Sequence, residues 1–240
     1  MNIAVIFAGG VGSRMRSREL PKQFLRIHGK PVIVRTVEHF QYHPEVDSIV
    51  VVCIAQWLDY CRSLLERHGL SKVAAVVPGG SNGQESIYHG LQAAEELAGG
   101  DRSIVLIHDG VRPLINEKVI SDNIRSVREN GSAITCVRAK ETLLVEGSAD
   151  EVSDIPDRSL LRIARAPQSF WLNDIIAAHR DAISAGRHDY IDSASMMFER
   201  GYSLTPVDGP DENIKVTTPD DFFSVQAILN ARENEQIYGL

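Results

Sequence analysis

The residues best suited to chemistry in this chain form a glycine-rich segment near its beginning, residues 8–15 (Ala-Gly-Gly-Val-Gly-Ser-Arg-Met). The segment follows a β-branched run, and a glycine turn after a leading strand exposes backbone N–H groups that bind phosphate. Arg14 adds a guanidinium to this segment, and Lys22 follows eight residues later. Such donors beside exposed amides suit a triphosphate that is attacked at phosphorus. A tight turn with solvated basic residues is the alternative interpretation.

Two common glycine motifs fit this part of the chain only incompletely. The dinucleotide fingerprint G-x-G-x-x-G has Met15 in place of its third glycine, which disfavours an NAD(P)-binding oxidoreductase. The phosphate-loop pattern G-x-x-x-x-G-K-[ST] fails as well, because Pro31 follows Gly29 and Lys30.

A second candidate is the segment at residues 108–113 (His-Asp-Gly-Val-Arg-Pro), which directly follows an apolar run. At the carboxyl end of a strand in an α/β sheet, the Asp109 carboxylate is well placed to hold Mg²⁺ or a ribose hydroxyl. Gly110 allows the backbone to approach a ligand closely. Alternatively, Asp109 caps the next turn and His108 is an ordinary hydrogen-bonded histidine.

Two further segments supply polar groups next to predicted helices. Residues 78–86 (Pro-Gly-Gly-Ser-Asn-Gly-Gln-Glu-Ser) form a loop that opens a helix, and its amides and Ser86 could read the edge of a base. A flexible connector is the alternative for this loop. Lys215 lies just before a capped helix start and could point into the same crevice, although an isolated lysine is usually solvated.

The elements that must position these residues are five β-branched runs that alternate with amphipathic segments. Continuous apolar runs are typical of strands buried on both faces. They cover residues 3–7, 48–54, 73–77, 103–107 and 133–137. The intervening segments repeat apolar residues with helical spacing. The alternation predicts a mostly parallel, three-layer α/β sheet whose ligand lies at the carboxyl ends of the strands.

The alternation breaks at residues 138–160, where short apolar stretches flank a Gly-Ser-Ala-Asp turn. This pattern predicts a protruding β-hairpin, called the arm below. Further helices are predicted at residues 172–185 and 194–200, a strand at 203–207, and a final helix from Pro219 to about Asn230. Because there is neither an internal repeat nor a low-complexity linker, we expect a single domain over residues 1–240.

Composition and charge exclude several functional classes. The net charge of −7 disfavours binding to nucleic acid or to an anionic membrane, yet residues 1–40 carry +5, which indicates a local site for a small polyanion. The longest apolar run, residues 49–55, is too short to span a membrane. The three cysteines lack C-x-x-C spacing, and no basic targeting segment precedes the first apolar run, so we expect a cytoplasmic protein with reduced thiols.

Taken together, the motifs resemble those of a known family. They are residues 8–15 with Pro21-Lys22-Gln23, residues 108–113, residues 166–170 (Ala-Pro-Gln-Ser-Phe) and residues 213–217 (Asn-Ile-Lys-Val-Thr). This arrangement resembles the cytidylyltransferases that transfer CMP from CTP to a polyol phosphate, and the resemblance covers essentially the whole chain. It implies a Rossmann-like nucleotidyltransferase domain, CTP as a substrate, Mg²⁺ or another divalent cation as cofactor, and a homodimer interlocked by the arm.

The resemblance also implies roles for individual residues. The triphosphate and the reacting phosphorus would be surrounded by Arg14, Lys22 and Lys215. The nucleotide-binding residues would be Ala8, Gly9, Gly10, Gly12, Gly80, Ser86 and Asp109, with Asp109 also supporting the metal. The acceptor-binding residues would be Gly110, Arg112, Thr142, Arg158 and Asp192. A nucleotide-sensing module without catalysis is disfavoured, because base and ribose binding would not require this whole cationic set.

Two departures from the family pattern bear on the acceptor. Ala166 and Ile191 stand where the enzymes acting on 2-C-methyl-D-erythritol 4-phosphate generally carry threonine. The loss of a hydroxyl partner beside the acceptor favours a different polyol. The sequence around the motifs resembles that of the family branch that uses ribitol 5-phosphate. We therefore expect CMP transfer to D-ribitol 5-phosphate, which gives CDP-ribitol and pyrophosphate, with methylerythritol phosphate as the alternative acceptor.

Overall fold

The computed structural model describes residues 1–8, 20–148 and 151–238, and in the last helix it describes side chains as far as residue 235. Within these ranges the strands are β1 (Asn2–Ala8), β2 (Arg26–Ile27), β3 (Lys30–Pro31), β4 (Ser48–Cys53), β5 (Val73–Pro78), β6 (Ile104–Asp109), β7 (Ser132–Arg138), β8 (Val145–Glu146), β9 (Val152–Asp154), β10 (Arg162–Trp171) and β11 (Pro206–Asp208). The α-helices are α1 (Val32–Gln41), α2 (Leu58–Arg67), α3 (Gly83–Ala98), α4 (Glu117–Asn130), α5 (Leu172–Ser184), α6 (Ser193–Glu199) and α7 (Pro219–Tyr238).

The central sheet has the strand order β11-β7-β10-β6-β1-β4-β5 over the described residues. β1 pairs in parallel with β4 and β6, β4 with β5, and β11 with β7. All six residues of β4 and of β6 are buried, and for the apolar residues 49–53 and 104–107 this burial is what the sequence predicts. The mostly parallel sheet inferred from the sequence is therefore confirmed.

Helices cover both faces of this sheet and give three layers. Along β1, Ala4 and Ile6 face the side on which α1, α2 and α4 pack, whereas Ile3 and Val5 face α3, α5 and α6. This alternation follows from the two-residue period of a strand. α7 packs on a smaller cluster that includes Val111, and it extends past the end predicted near Asn230. None of the helices in the described ranges has the length and apolar character needed to cross a membrane.

β10 is an element that the sequence pattern does not predict. This ten-residue strand lies between β6 and β7 and runs antiparallel to both. Its first three residues are exposed, and Pro167 has no N–H group to donate to a neighbouring strand. A proline in a charged stretch argues against a central strand, and for this reason the sequence pattern does not predict β10. The Ala166–Pro167 peptide bond is cis.

The arm contains the predicted hairpin in a short form. β8 and β9 pair in antiparallel orientation, with Val145 opposite Asp154 and Glu146 opposite Val152. The arm exposes several large apolar side chains, among them Leu144, Val145, Val152, Ile155 and Leu160. Such a group of exposed apolar side chains is typical of a surface that another protein chain covers.

Candidate active site

A cavity of about 510 Å³ opens where β1, β4, β5 and β6 end. Its lining consists of Phe7, Ala8, Lys22, Gln23, Ile54, Ala55, Gly79, Gly80, Ser81, Asn82, Gly83, Ser86, Asp109, Val111 and Lys215. The cavity thus lies at the carboxyl ends of parallel strands, and it has the size of a small-molecule site. Six residues of the predicted site are brought together here, namely Ala8, Lys22, Gly80, Ser86, Asp109 and Lys215.

Asp109, the last residue of β6, forms the electrostatic centre of the cavity. Its Oδ1 lies 2.6 Å from Nζ of Lys215, and its Oδ2 accepts a hydrogen bond of 2.7 Å from Nε of Arg112. Burial by itself would raise the pKa of Asp109, but the charges and hydrogen bonds of Lys215 and Arg112 lower it to about 2. The carboxylate is therefore an anion at neutral pH, and it draws both cations to the edge of the cavity.

Lys22 enters the cavity from a short 3₁₀ turn, Lys22–Phe24. The turn is fixed to the end of β1 because the buried Gln23 side chain donates a 2.8 Å hydrogen bond to the carbonyl of Ala8. Lys22 and Lys215 thereby contribute ammonium groups to one cavity although they are far apart in the sequence. The remaining predicted residues of this part of the site, Gly9, Gly10, Gly12 and Arg14, lie outside the described residues.

The loop between β5 and α3 is held by its own side chains. Asn82 caps α3 by accepting a 2.9 Å hydrogen bond from the Glu85 amide. Ser86 Oγ accepts one from the Gly80 amide at 3.1 Å and donates to the Asn82 carbonyl at 2.7 Å. A Cβ atom at Gly80 would lie 2.2 Å from Cγ of Glu85, so only glycine fits. These contacts disagree with the interpretation of this loop as a flexible connector. The spacing of Asn82 and Glu85, Asn-x-x-Glu, is a signal in the sequence that could have predicted this helix cap.

Gly110 and Arg112 lie beside Asp109 and behind the cavity wall. A Cβ atom on Gly110 would come within 3.0 Å of Cβ of Ala8, so this glycine allows close packing on β1. The largely buried Arg112 donates from Nη1 to the carbonyl of Asn213 at 2.9 Å. Asn213 in turn donates from Nδ2 to the carbonyl of Ala166 at 2.6 Å. The sequence motif contains Asn213, but its role as a link between Arg112 and β10 was not predicted.

His108 is a structural residue in this arrangement. The ring is fully buried, and its Nε2 donates to the carbonyl of Arg112 at 3.1 Å. Burial lowers the pKa of His108 to about 3, although the hydrogen bond and the Asp109 charge act in the opposite direction. The imidazole is thus neutral near pH 7, which agrees with the interpretation of His108 as a hydrogen-bonded core histidine.

The other three predicted acceptor residues are not among the described residues that line the cavity. Asp192 caps α6, and its Oδ2 accepts a 2.8 Å hydrogen bond from Nε2 of Gln168 on β10. Arg158 donates from Nη1 to the carbonyl of Lys140 at 2.7 Å, which closes the base of the arm. Thr142 lies in an exposed part of the arm. Asp192 therefore lies on the β10 side of the site, whereas Arg158 and Thr142 lie in the arm.

The described residues fit a divalent cation only in a limited way. They contain no cluster of three or more His, Cys, Asp or Glu side chains that could hold a metal. Asp109 is the acidic residue among the described cavity residues, and both of its oxygens already bind cationic side chains. Mg²⁺ commonly takes one or two carboxylates together with substrate phosphates and water. The donor set suits a Mg²⁺ ion that binds together with a triphosphate, and it does not suit a cage of protein ligands.

Comparisons with known proteins show the family to which the chain belongs. Residues 2–231 match the family model described as IspD, 2-C-methyl-D-erythritol 4-phosphate cytidylyltransferase. The chain is 58% identical over its full length to the full-length ribitol-5-phosphate cytidylyltransferase of Streptococcus agalactiae serotype III (strain NEM316). It is 50% identical to the protein of the same name from Vibrio parahaemolyticus serotype O3:K6, again over 100% of both chains.

A solved structure shows the same fold. The 4-diphosphocytidyl-2C-methyl-D-erythritol synthase of Anaerococcus prevotii superposes with a TM-score of 0.82 at 27% sequence identity, over 95% of this chain and 96% of that one. The fold of this chain and its sequence thus indicate the same family. The protein belongs to the 2-C-methyl-D-erythritol 4-phosphate cytidylyltransferase (IspD) family and is a CTP-dependent nucleotidyltransferase.

Proposed function

We propose that the enzyme transfers CMP from CTP to D-ribitol 5-phosphate and releases CDP-ribitol and pyrophosphate. The observation that carries this choice is the full-length identity of 58% and 50% to two proteins named ribitol-5-phosphate cytidylyltransferase. The identity to the 2-C-methyl-D-erythritol 4-phosphate cytidylyltransferase of Geobacter metallireducens is lower, at 38%. Ala166 and Ile191, which replace threonines typical of the methylerythritol enzymes, support the same acceptor.

The reaction is an in-line displacement at phosphorus. An oxygen of the acceptor phosphate forms a bond to the α-phosphorus of CTP, and the bond from that phosphorus to the oxygen bridging to the β-phosphate breaks. The electron pair leaves with pyrophosphate. Because the nucleophile is already an anion, no general base is required. Catalysis then depends on bringing two anions together and on stabilising the charge of the transition state.

The two lysines of the cavity suit this task. Lys22 and Lys215 would contact the triphosphate, and Arg14 would join them. Asp109 would hold Lys215 in position and support the ribose. The loop residues Gly80 and Ser86, together with Ala8, Gly9, Gly10 and Gly12, would hold the cytidine part. Backbone groups fixed as they are around Gly80 read a base edge without the entropy loss of ordering a mobile loop.

Asp109 would help to hold a divalent cation such as Mg²⁺ when the triphosphate is bound. When bound, the cation would neutralise phosphate charge and favour departure of pyrophosphate. Because both Asp109 oxygens already bind Lys215 and Arg112, the nucleotide would supply most of the ligands. The cation would therefore depend on CTP for its affinity.

The acceptor would lie on the β10 side of the cavity, near Gly110, Arg112 and Asp192. Thr142 and Arg158 would contribute from the arm in a homodimer, since the arm exposes apolar side chains and neither residue lines the cavity among the described residues. In this proposal residues 1–240 form one domain, with the arm at 138–160 used for dimerisation. We place the enzyme in the cytoplasm, which agrees with three free, buried cysteines.

Competition between acceptors tests the proposed function directly. The enzyme is incubated with CTP, Mg²⁺ and equal concentrations of ribitol 5-phosphate and methylerythritol phosphate, and the CDP products are separated by mass spectrometry. We expect CDP-ribitol to exceed CDP-methylerythritol by about 100-fold, because a site built for several hydroxyls leaves polar groups unpaired with the wrong polyol. Predominant CDP-methylerythritol would assign the enzyme to the other acceptor.

A further inference from the structure

β10 carries an irregularity opposite β7 that displaces three residues from regular pairing. Ala164 pairs with Cys136 and Gln168 pairs with Ile134, so Arg165, Ala166 and Pro167 together face the single residue Thr135. Bulges of this kind frequently occur beside active sites, where they change the direction of a side chain. The bulge therefore marks Arg165 as a residue whose placement differs from that of an ordinary strand residue.

Hydrogen bonds connect the bulge and the residue that ends it to predicted acceptor residues. Within the bulge, the carbonyl of Ala166 accepts from Asn213, whose own carbonyl accepts from Nη1 of Arg112. Gln168, the first regularly paired residue after the bulge, donates to Asp192 at 2.8 Å. Arg165 directly precedes Ala166 and therefore adjoins the residue that is linked to Arg112.

The side chain of Arg165 is partly buried, and one donor of its guanidinium is left without a partner. This donor, Nε, is buried and has no hydrogen bond to any described residue. Burial lowers the pKa of Arg165, and the positive charge of Arg112 acts in the same direction. The carboxylate of Asp211 acts oppositely, but it is already paired with Lys140 at 2.5 Å. By contrast, Arg162 on the same strand pairs with Asp208 at 2.5 Å.

We propose that Arg165 binds the phosphate group of the acceptor together with Arg112, an inference that rests on the proposed function. Asp109 already pairs with Arg112, so the positive charge still to be compensated beside it is that of Arg165, and a phosphate dianion supplies a second anion. A planar guanidinium can also donate two parallel hydrogen bonds to phosphate oxygens, which fixes the orientation of the nucleophile. Arg165 is accordingly a determinant of acceptor binding. It directly precedes Ala166, the position at which the methylerythritol enzymes generally carry threonine.

Steady-state kinetics of Arg165→Leu and Arg165→Lys test this assignment. We expect Arg165→Leu to raise KM for ribitol 5-phosphate by about 10- to 100-fold, with a smaller fall in kcat and a KM for CTP within about 3-fold of wild type, because the contact exists in the ground state as well as in the transition state. Arg165→Lys keeps the charge but not the two-pronged donor, so its KM should lie between those of wild type and Arg165→Leu.

Arg128→Leu provides the matched control, since Arg128 is an exposed residue of α4 that pairs with Glu45. This variant should retain wild-type constants for both substrates. An unchanged KM for the acceptor in Arg165→Leu would overturn the assignment, and Arg165→Lys answers the question in the same way if Arg165→Leu does not fold. Failure of the proposed function is a separate result, because the wild-type enzyme would then prefer methylerythritol phosphate. In that case the KM of wild type and of Arg165→Leu is compared with methylerythritol phosphate as the acceptor.

Discussion

The Nζ atom of Lys215 lies 2.6 Å from Oδ1 of Asp109, although the two residues belong to distant parts of the chain. Asp109 ends β6, whereas Lys215 lies in the segment that leads into α7. The backbone contact from the Val216 amide to the Val111 carbonyl, at 2.9 Å, holds these segments together. Because the pKa of Asp109 is about 2, the carboxylate stays ionised near neutral pH and holds Lys215 and Arg112 beside it.

Replacement of Lys215 should therefore affect both catalysis and the titration of Asp109. We expect Lys215→Met to lower kcat by about 10²- to 10³-fold, as for loss of a preorganised donor to the transition state. Since Lys215 lowers the pKa of Asp109, the variant should also move the acidic limb of the residual pH–rate profile to higher pH. Pyrophosphate release measured between pH 4 and 9 checks both effects, because the limb due to Asp109 lies below this range in wild type and should approach or enter it in the variant. A kcat within a few-fold of wild type would contradict the assigned role.

Lys22 makes an independent prediction because it approaches the cavity from a different element. Lys22→Ala should lower kcat by about 10²-fold or more while the folded structure is retained, since an ammonium group that acts on developing charge contributes chiefly to the transition state. Lys118→Ala is the matched control, because Lys118 is an exposed residue of α4 paired with Asp122. Turnover of Lys22→Ala equal to that of the control would remove Lys22 from the mechanism.

The sequence predicts this site well where each contribution is local. Asp109 follows a buried run, and Lys22 and Gly80 lie in loops after predicted strands, so their meeting at one sheet edge follows from the α/β pattern. The pattern does not reveal β10, because Pro167 and the two arginines, the exposed Arg162 and the partly buried Arg165, conceal a central strand. The contacts of Asn213 are likewise hidden, since they join backbone carbonyls that become neighbours only after folding.

Removal of divalent cations should abolish turnover. Excess chelator removes the charge that neutralises the triphosphate, and added Mg²⁺ should restore activity in proportion to its complex with CTP. Asp109→Asn should lower kcat and weaken the response to Mg²⁺, because the amide no longer attracts Lys215, Arg112 or the cation. Full activity in excess chelator, measured as pyrophosphate release, would exclude the cation from the reaction.

The exposed apolar side chains of the arm predict self-association. Light scattering of the wild type should give twice the chain mass of 26.5 kDa. Leu160, which is 81% exposed, is a suitable site for disruption, so Leu160→Asp should shift the mass toward that of one chain and reduce activity. Tyr42→Asp changes a similarly exposed side chain at the end of α1 and should leave the dimer intact. A wild-type mass near 26.5 kDa at micromolar concentration would contradict the dimer.

His179 on α5 predicts a loss of stability in mild acid. The residue is 1% exposed, its ring stacks on Tyr88 with centroids 5.6 Å apart, and neither ring nitrogen has a hydrogen-bond partner among the described residues. Burial, with a smaller effect from the charge of Arg200, lowers the pKa of His179 to about 4. Between an ordinary histidine pKa of about 6.5 and this value, the unfolded chain binds a proton that the folded chain does not, so stability falls as pH decreases.

Replacement by phenylalanine keeps an aromatic ring in the stack and removes this proton. The contribution of His179 to the free energy of unfolding should fall by about 2 kcal/mol between pH 7 and pH 5, and His179→Phe should lack that part of the decrease. Urea unfolding at a series of pH values measures the difference, with His188→Gln, a change at an exposed histidine, as the control. If the curves of His179→Phe and wild type ran parallel from pH 7 to pH 5, His179 would not be the buried neutral group that the structure describes. Because His108 is also buried and has a pKa of about 3, the variant should retain part of the wild-type pH dependence.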